Sequence, residues 1–190
     1  MVKQSNKILI LTGHSGAGKD SVSDELRKAG HFEAIRPHST RAMREGESEG
    51  DPYYFVSKEA FHSMERSGQF IEYQKYLTMF NGVEDWAYYG TAYSSIPTDK
   101  PAIITIGVLA AIELKEKLGD RAVLVYLHVS DEVREERAKA RGSFDQVEWD
   151  NRLSQDHKRF AKGLPSGIDV SINNMQPLAD TVKEVLDATA

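Results

Sequence analysis

The 190-residue chain contains no cysteine. That absence excludes a disulfide framework, thiolate metal sites and cysteine nucleophiles, and it accords with a reducing cytosol, so the cytoplasm is the expected compartment. Long apolar runs are missing too. The longest, AIITIGVLAAI at 102–112, falls short of the roughly 20 residues that a membrane span needs. The opening MVKQSNKILI has neither the apolar core nor the small-residue cleavage site of a secretory signal. There is no basic excess: 24 Lys and Arg against 29 Asp and Glu give a net charge of -5. No overall field therefore draws the protein to nucleic acid or to an anionic membrane, and any anion site has to be assembled locally. Internal repeats and low-complexity segments are likewise lacking. What is present, 40% hydrophobic and 28% charged residues, is the composition of one soluble domain able to bury a core.

Three short apolar runs read as buried parallel strands: KILILT, ending at Thr12, PAIITI from Pro101, and AVLVYLHV from Ala122. Each precedes a helical pattern, namely SVSDELRKAG, GVLAAIELKEKLG and SDEVREERAKARG. Alternation of this kind predicts an α/β sandwich. Ser57 is placed to cap a helix through EAFHSMERSG, and Asp145 with Glu148 forms the pattern of a capping box ahead of Trp149 and Leu153. A last helix starts near Pro177, with Leu178, Val182 and Leu186 on one face. Between about Pro37 and Ser95 the buried-strand pattern is absent while tyrosine, glycine and charge are dense, which predicts an insertion beside the core sheet.

GHSGAGKD, Gly13 to Asp20, has the glycine and lysine spacing of a phosphate-binding loop and sits between a strand and a helix. Gly13, His14, Ser15, Gly16, Ala17 and Gly18 can turn successive N–H groups onto phosphate oxygens, with Lys19 reaching the β and γ phosphates and the helix dipole adding to the attraction. The next position normally carries a hydroxyl for Mg²⁺, but here it is Asp20. Two readings stand: Asp20 favours the helix N-terminus, or its carboxylate binds Mg²⁺. Ser21, one place on, is an alternative metal ligand.

STRAMREGESEGDPYYFVSKEAFHSMERSGQFIEY, Ser39 to Tyr73, followed by YYGT at Tyr88 to Thr91, resembles the monophosphate-binding region of the guanylate kinases, in the same order and behind a P-loop in the right place. Planar guanidinium forks and phenolic donors suit a phosphate monoester in any case. The resemblance implies that Arg41, Arg44, Tyr53 and Tyr89 clamp the acceptor phosphate, that Glu72 accepts hydrogen bonds from the edge of guanine, and that Thr91 supplies a base-binding hydroxyl. It also implies lid arginines at Arg137, Arg141 and Arg152 and a contact near adenine at Asn173. The expected architecture is a single P-loop kinase three-layer fold over 1–190. It comprises a parallel core sheet (1–36 and 94–190), an inserted acceptor-binding subdomain (37–93) and a helical lid at about 131–155.

Several positions depart from that pattern. The serine that contacts the guanine oxygen falls at Pro37, with His38 and Ser39 beside it as substitutes. The two acids that end the third strand in that family fall at Thr105 and Gly107. In these places, and in its G-K-D-S loop, the chain is similar to the ribose 1,5-bisphosphate phosphokinases. KYLTMFNGVEDWA, 75–87, is longer than the family's usual turn and reads as an enlarged surface hairpin, the alternative being that Tyr76 and Trp86 line an altered pocket. The resulting expectation is an ATP- and Mg²⁺-dependent kinase of a nucleoside monophosphate, GMP or dGMP. In this reading Lys19, Arg41, Arg137, Arg141 and Arg152 serve catalysis, and the partners are small nucleotides, with no nucleic acid and no membrane. A kinase of a sugar phosphate or another nucleotide, and a non-catalytic protein-binding module, are the two rival readings.

Overall fold

Ile8, Leu9, Ile10 and Leu11 are all fully buried, because the strand they form, β1 (Ile8–Thr12), lies mid-sheet with helices on both faces. The structure is a computed structural model that describes residues 6–44, 46–80, 83–140, 144–160 and 166–189; within these, the side chains of 78–80, 83, 84, 148, 152 and 159 fall outside the description. β1 pairs in parallel with β7 (Ala102–Thr105) and β8 (Ala122–His128), so that Ile10 stands level with Ile104 and Leu124. β2 (Glu33–Ala34) and β9 (Val170–Asn173) complete the sheet in the order β2-β7-β1-β8-β9.

Alternate residues of β1 feed two separate cores, as the period of a strand requires. Leu9 and Leu11 pack with Val22 and Leu26 of α1 (Lys19–Lys28) and Val185 of α6 (Leu178–Thr189). Ile8 and Ile10 pack with Ala111 and Leu114 of α3 (Val108–Leu118). These are the three layers of an α/β sandwich, and such sheets bind ligands at the carboxyl ends of their strands. The expected core strands and their following helices are all present.

The inserted region holds a second, four-stranded sheet in the order β4-β3-β6-β5. Its members are β3 (His38–Ser39), β4 (Tyr54–Phe55), β5 (Phe70–Phe80) and β6 (Val83–Ala92). The composition did not announce it because β3 and β4 are two residues each and the β5–β6 hairpin is wet on one face, where Tyr73, Leu77 and Trp86 are exposed and Lys75 Nζ lies 4.9 Å from the Trp86 ring centre. The extra residues therefore lengthen a hairpin, as the sequence suggested. α2 (Lys58–Arg66) starts at Ser57, whose side chain accepts from the Ala60 N–H at 3.1 Å. Its Phe61 stacks on Phe70 at 4.4 Å. Two further helices, α4 (Asp131–Ala140) and α5 (Gln146–Phe160), follow β8.

Gly90 shows how tightly this small core is filled. A Cβ there would lie 2.8 Å from Phe70 Cδ1 and 3.1 Å from Phe61 Cζ. Gly90→Ala should destabilise the protein by about 1–3 kcal/mol through overpacking, read as a lower urea midpoint with an unchanged slope.

Candidate functional site

β1 delivers the chain into the phosphate loop, with Thr12 Oγ1 donating to the Ile106 carbonyl at 3.0 Å. The loop turns into α1 through Gly18, whose φ of +85° is left-handed and where a Cβ would lie 2.6 Å from Asn174 Nδ2. Lys19 Nζ donates to the Gly13 and His14 carbonyls at 3.0 and 3.1 Å, which holds the ammonium over the loop. The His14 ring packs against β8 and α5: its Nδ1 is 3.0 Å from the Tyr126 hydroxyl and its ring centre 4.1 Å from that of Phe160. Burial, aided by the Arg134 charge, lowers its pKa and favours the neutral imidazole.

The peptide of Ser15 is held on both sides. Its N–H donates to Asp156 Oδ2 at 2.9 Å and its carbonyl accepts from Arg134 Nε at 2.7 Å. Arg134 is fully buried, bonds Asp156 at 2.5 Å and Asp131 besides, and lies under the Trp149 ring at 5.5 Å. Asn174 supports the next turn: its Nδ2 donates to the Ala17 carbonyl at 2.7 Å while its Oδ1 accepts from Thr181 at 2.8 Å. Ser15 and Ala17 were expected in the phosphate loop, but Arg134, Asp156 and Asn174 were not anticipated: EVREERAKARG pointed to lid arginines at Arg137 and Arg141, and nothing local marks Asp156, 141 residues from Ser15.

On the acceptor side, Arg41 makes a two-point pair with Glu47, both contacts 2.6 Å, and its guanidinium lies 5.1 Å from the Tyr53 ring centre and 5.3 Å from that of Phe55. Glu47 also accepts from the Arg44 N–H at 2.8 Å, and so holds both arginine positions together. The Arg41 hydrogen bond lowers the Glu47 pKa. Tyr53 and Tyr89 meet edge to face at 5.6 Å. Burial and then the Tyr89 neighbour push the Tyr53 phenol up to about 12, so it keeps its proton and can donate. Glu47 was not among the expected site residues, although it belongs to the acceptor segment that carries the resemblance.

Glu72 stands on the inner face of the hairpin, 3% exposed, its Oε1 accepting from the Thr91 N–H at 3.1 Å and hydroxyl at 2.5 Å. Burial raises its pKa against the pull of those two bonds. Ser39 is buried beside Tyr89 and accepts from the Arg41 N–H at 3.3 Å. His38, on the opposite face of β3, packs on Tyr54 and Phe70 at 5.2 and 5.8 Å; of the two substitutes for the missing serine, only Ser39 lies with the clamp.

Asp20 and Thr105 are neighbours, the threonine hydroxyl donating at 3.4 Å. Arg137 reaches the loop from α4, donating to the Asn174 carbonyl at 2.7 Å. Asn173 is exposed, its Oδ1 accepting from the Met175 N–H at 3.1 Å. Ser21 is exposed in the first turn of α1, and Arg44 is exposed near Glu47. Arg141 lies outside the described residues, as do the side chains of Arg152 and of Glu148 in the expected capping box.

The family model of guanylate kinase matches residues 5–189. A guanylate kinase from Streptococcus thermophilus is 35% identical over 95% of this chain and 86% of its own. One from Lactiplantibacillus plantarum is 33% identical over 86% of this chain and 75% of its own. Among solved structures, guanylate kinase from Anaplasma phagocytophilum superposes with a TM-score of 0.64 at 21% identity, covering 97% of this chain and 85% of that one.

The buried Arg134–Asp156 pair should be costly to break from one side and cheap to remove whole. Asp156→Ala leaves a buried guanidinium short of a partner and is expected to cost about 3–5 kcal/mol, whereas Arg134→Leu with Asp156→Ala should recover most of that loss. Denaturant unfolding of the two variants measures both.

Proposed function

The chain belongs to the guanylate kinase family, and from that premise we propose that it transfers the γ-phosphoryl group of ATP to the phosphate of GMP or dGMP, giving ADP and the nucleoside diphosphate. The observation that carries this reading is the buried Glu72 carboxylate on the same hairpin face as Tyr89. The Thr91 N–H and hydroxyl both bond Oε1, and in this reading Oε2 accepts from the ring N–H and amino group of guanine. Adenine lacks that pair of donors.

In this reading Arg41, Arg44, Tyr53 and Tyr89 hold the acceptor phosphate, whose ionised oxygen attacks the γ-phosphorus as its bond to the β-phosphate oxygen breaks. No proton has to be removed, so the protein needs no general base. It positions the reactants and offsets charge. Lys19 leaves its two loop carbonyls for the donor phosphates, Asn173 lies toward the adenine end, and Arg137, with Arg141 and Arg152, closes over the transferred group.

The residues present suit Mg²⁺: Asp20 offers a hard carboxylate oxygen beside Thr105 at the mouth of the loop. A Mg²⁺ ion held by Asp20 would supply positive charge to offset that of the donor phosphates. Among the described residues no three His, Asp or Glu side chains converge on a metal position, so Asp20, with Ser21 next to it, would share the cation with phosphate oxygens and water. We place the protein in the cytoplasm on its cysteine-free composition.

An acceptor panel assayed for ADP release with Mg²⁺-ATP tests the function: GMP and dGMP should turn over, and turnover of a sugar phosphate alone would overturn the reading. In the same assay Glu72→Gln should lower kcat/KM for GMP about 100-fold, the loss of bonds to a charged acceptor. It should not destabilise the fold at pH 7. The folded carboxyl has a raised pKa, so its ionised form costs stability above that value, and the cost fades as the pH falls toward the ordinary carboxylate range. Wild type should therefore gain on the variant as the pH is lowered through that window, followed by thermal melts. Asp20→Asn should raise the Mg²⁺ concentration needed for half-maximal rate about tenfold with KM for GMP unchanged. An unaltered Mg²⁺ curve would reduce Asp20 to a helix-end charge.

A further inference from the structure

Within the phosphate loop, Ala17 spends its N–H on the His14 carbonyl at 3.1 Å and Ser15 spends its own on Asp156 at 2.9 Å. The first bond is the turn of the loop itself. The second reaches across the chain to α5, and the carbonyl of the same residue is taken by Arg134 of α4. Both partners are buried, Arg134 completely and Asp156 with 4% of its surface exposed, and they bond each other at 2.5 Å. Guanidinium, carboxylate and backbone thus form a closed circuit of charge-assisted bonds in a buried setting, where such bonds are strong.

The circuit is braced from both helices. Asp131 of α4 pairs with Arg134 and, at 2.9 Å, with His157 of α5. The backbone of α4 also lies directly against the loop: a Cβ at Gly16 would meet the Arg134 carbonyl oxygen at 3.2 Å and the Arg134 Cβ at 3.4 Å.

The same two helices carry arginines expected at the transferred phosphate. Arg137 follows Arg134 by three positions, so the two share a face of α4, and Arg137 Nη1 lies 3.4 Å from where a Gly18 Cβ would stand. Arg152 precedes Asp156 by four positions in α5. Arg134 and Asp156 are therefore each about one helical turn from a residue expected to touch the donor, while their own bonds go to Ser15 and to each other. In-line transfer depends on that register, since a misplacement of about 1 Å can cost about 100-fold in rate.

We propose that Arg134 and Asp156 are positioning residues for phosphoryl transfer, which act through the Ser15 backbone to hold the phosphate loop in register with the arginines of α4 and α5. The inference rests on the nucleotide-kinase reading above and adds to it a pair that is not itself an expected substrate contact.

A pair that only stabilised the fold would be dispensable once stability was restored, so the variant Arg134→Leu with Asp156→Ala, which removes both charges together, separates the two roles. The measurements are calorimetric titration with ADP in the absence of acceptor, and steady-state kinetics with Mg²⁺-ATP and GMP. With a thermal midpoint near that of wild type, this variant should bind ADP about tenfold more weakly, the result of a loop that keeps its binding shape roughly a tenth of the time. Its kcat should fall about 100-fold with KM for GMP unchanged. Arg134→Lys keeps the charge but not the fork that reaches Ser15 and the carboxylates at once, and should show the same pattern. A kcat within twofold of wild type in the folded double variant, or in Arg134→Lys should the double variant not fold, overturns the inference while leaving the kinase reading intact. A wild type that turns over neither GMP nor dGMP overturns the acceptor reading instead, and ADP binding by the variants within twofold of wild type then overturns the inference as well.

Discussion

Everything at the donor end depends on one buried ion pair and the peptide it grips. Arg134 and Asp156 come from different helices, neutralise each other in a buried setting, and between them also hold the carbonyl and the N–H of Ser15. A loop of glycines and small residues has little side-chain packing of its own to fix it. With Ser15 pinned by the pair and Ala17 by Asn174, the loop's shape is set from behind, and the N–H groups that must point at phosphate are presented without further ordering. The arrangement also ties α4 and α5 to the loop, through Arg134 and Asp156.

The acceptor end is organised by burial of polar groups. Glu72 and Thr91 satisfy each other within a hairpin, Glu47 bridges Arg41 and the Arg44 backbone, and Tyr53 keeps its proton because it is buried. Arg41 is oriented by Glu47, which is not itself an expected ligand contact, whereas Glu72 and Thr91 orient each other. Between the two ends, Asp20 and Thr105 sit at the mouth of the loop, where a cation and two sets of phosphates would meet.

Much of the core was legible because its physics is local. KILILT, PAIITI and AVLVYLHV are apolar without interruption since both faces of the parallel sheet are covered, and Ser57 declares its helix by a bond to its own third neighbour. The phosphate loop and the order of the acceptor motifs were equally readable. What escaped depends on contacts across the chain. Arg134 stands in a run that was read for its later arginines, and its partner lies on the next helix. The second sheet hid behind two-residue strands and a hairpin with one face in water. Asn174 was overlooked beside Asn173, since β9 is four residues long and only the fold says which of two adjacent asparagines turns inward. His38 was offered as a stand-in for a missing serine, but strand alternation sends it to the far face and leaves Ser39 with the clamp.

A Cβ at Gly107 would lie 2.8 Å from the hydroxyl oxygen of Tyr76, which makes those two positions a linked pair in any redesign of the end of β7. A side chain introduced at 107 has to push the tip of that phenol aside, and removing the phenol leaves an open gap against the start of α3. A change at either position is therefore felt at the other, and the two are best varied together.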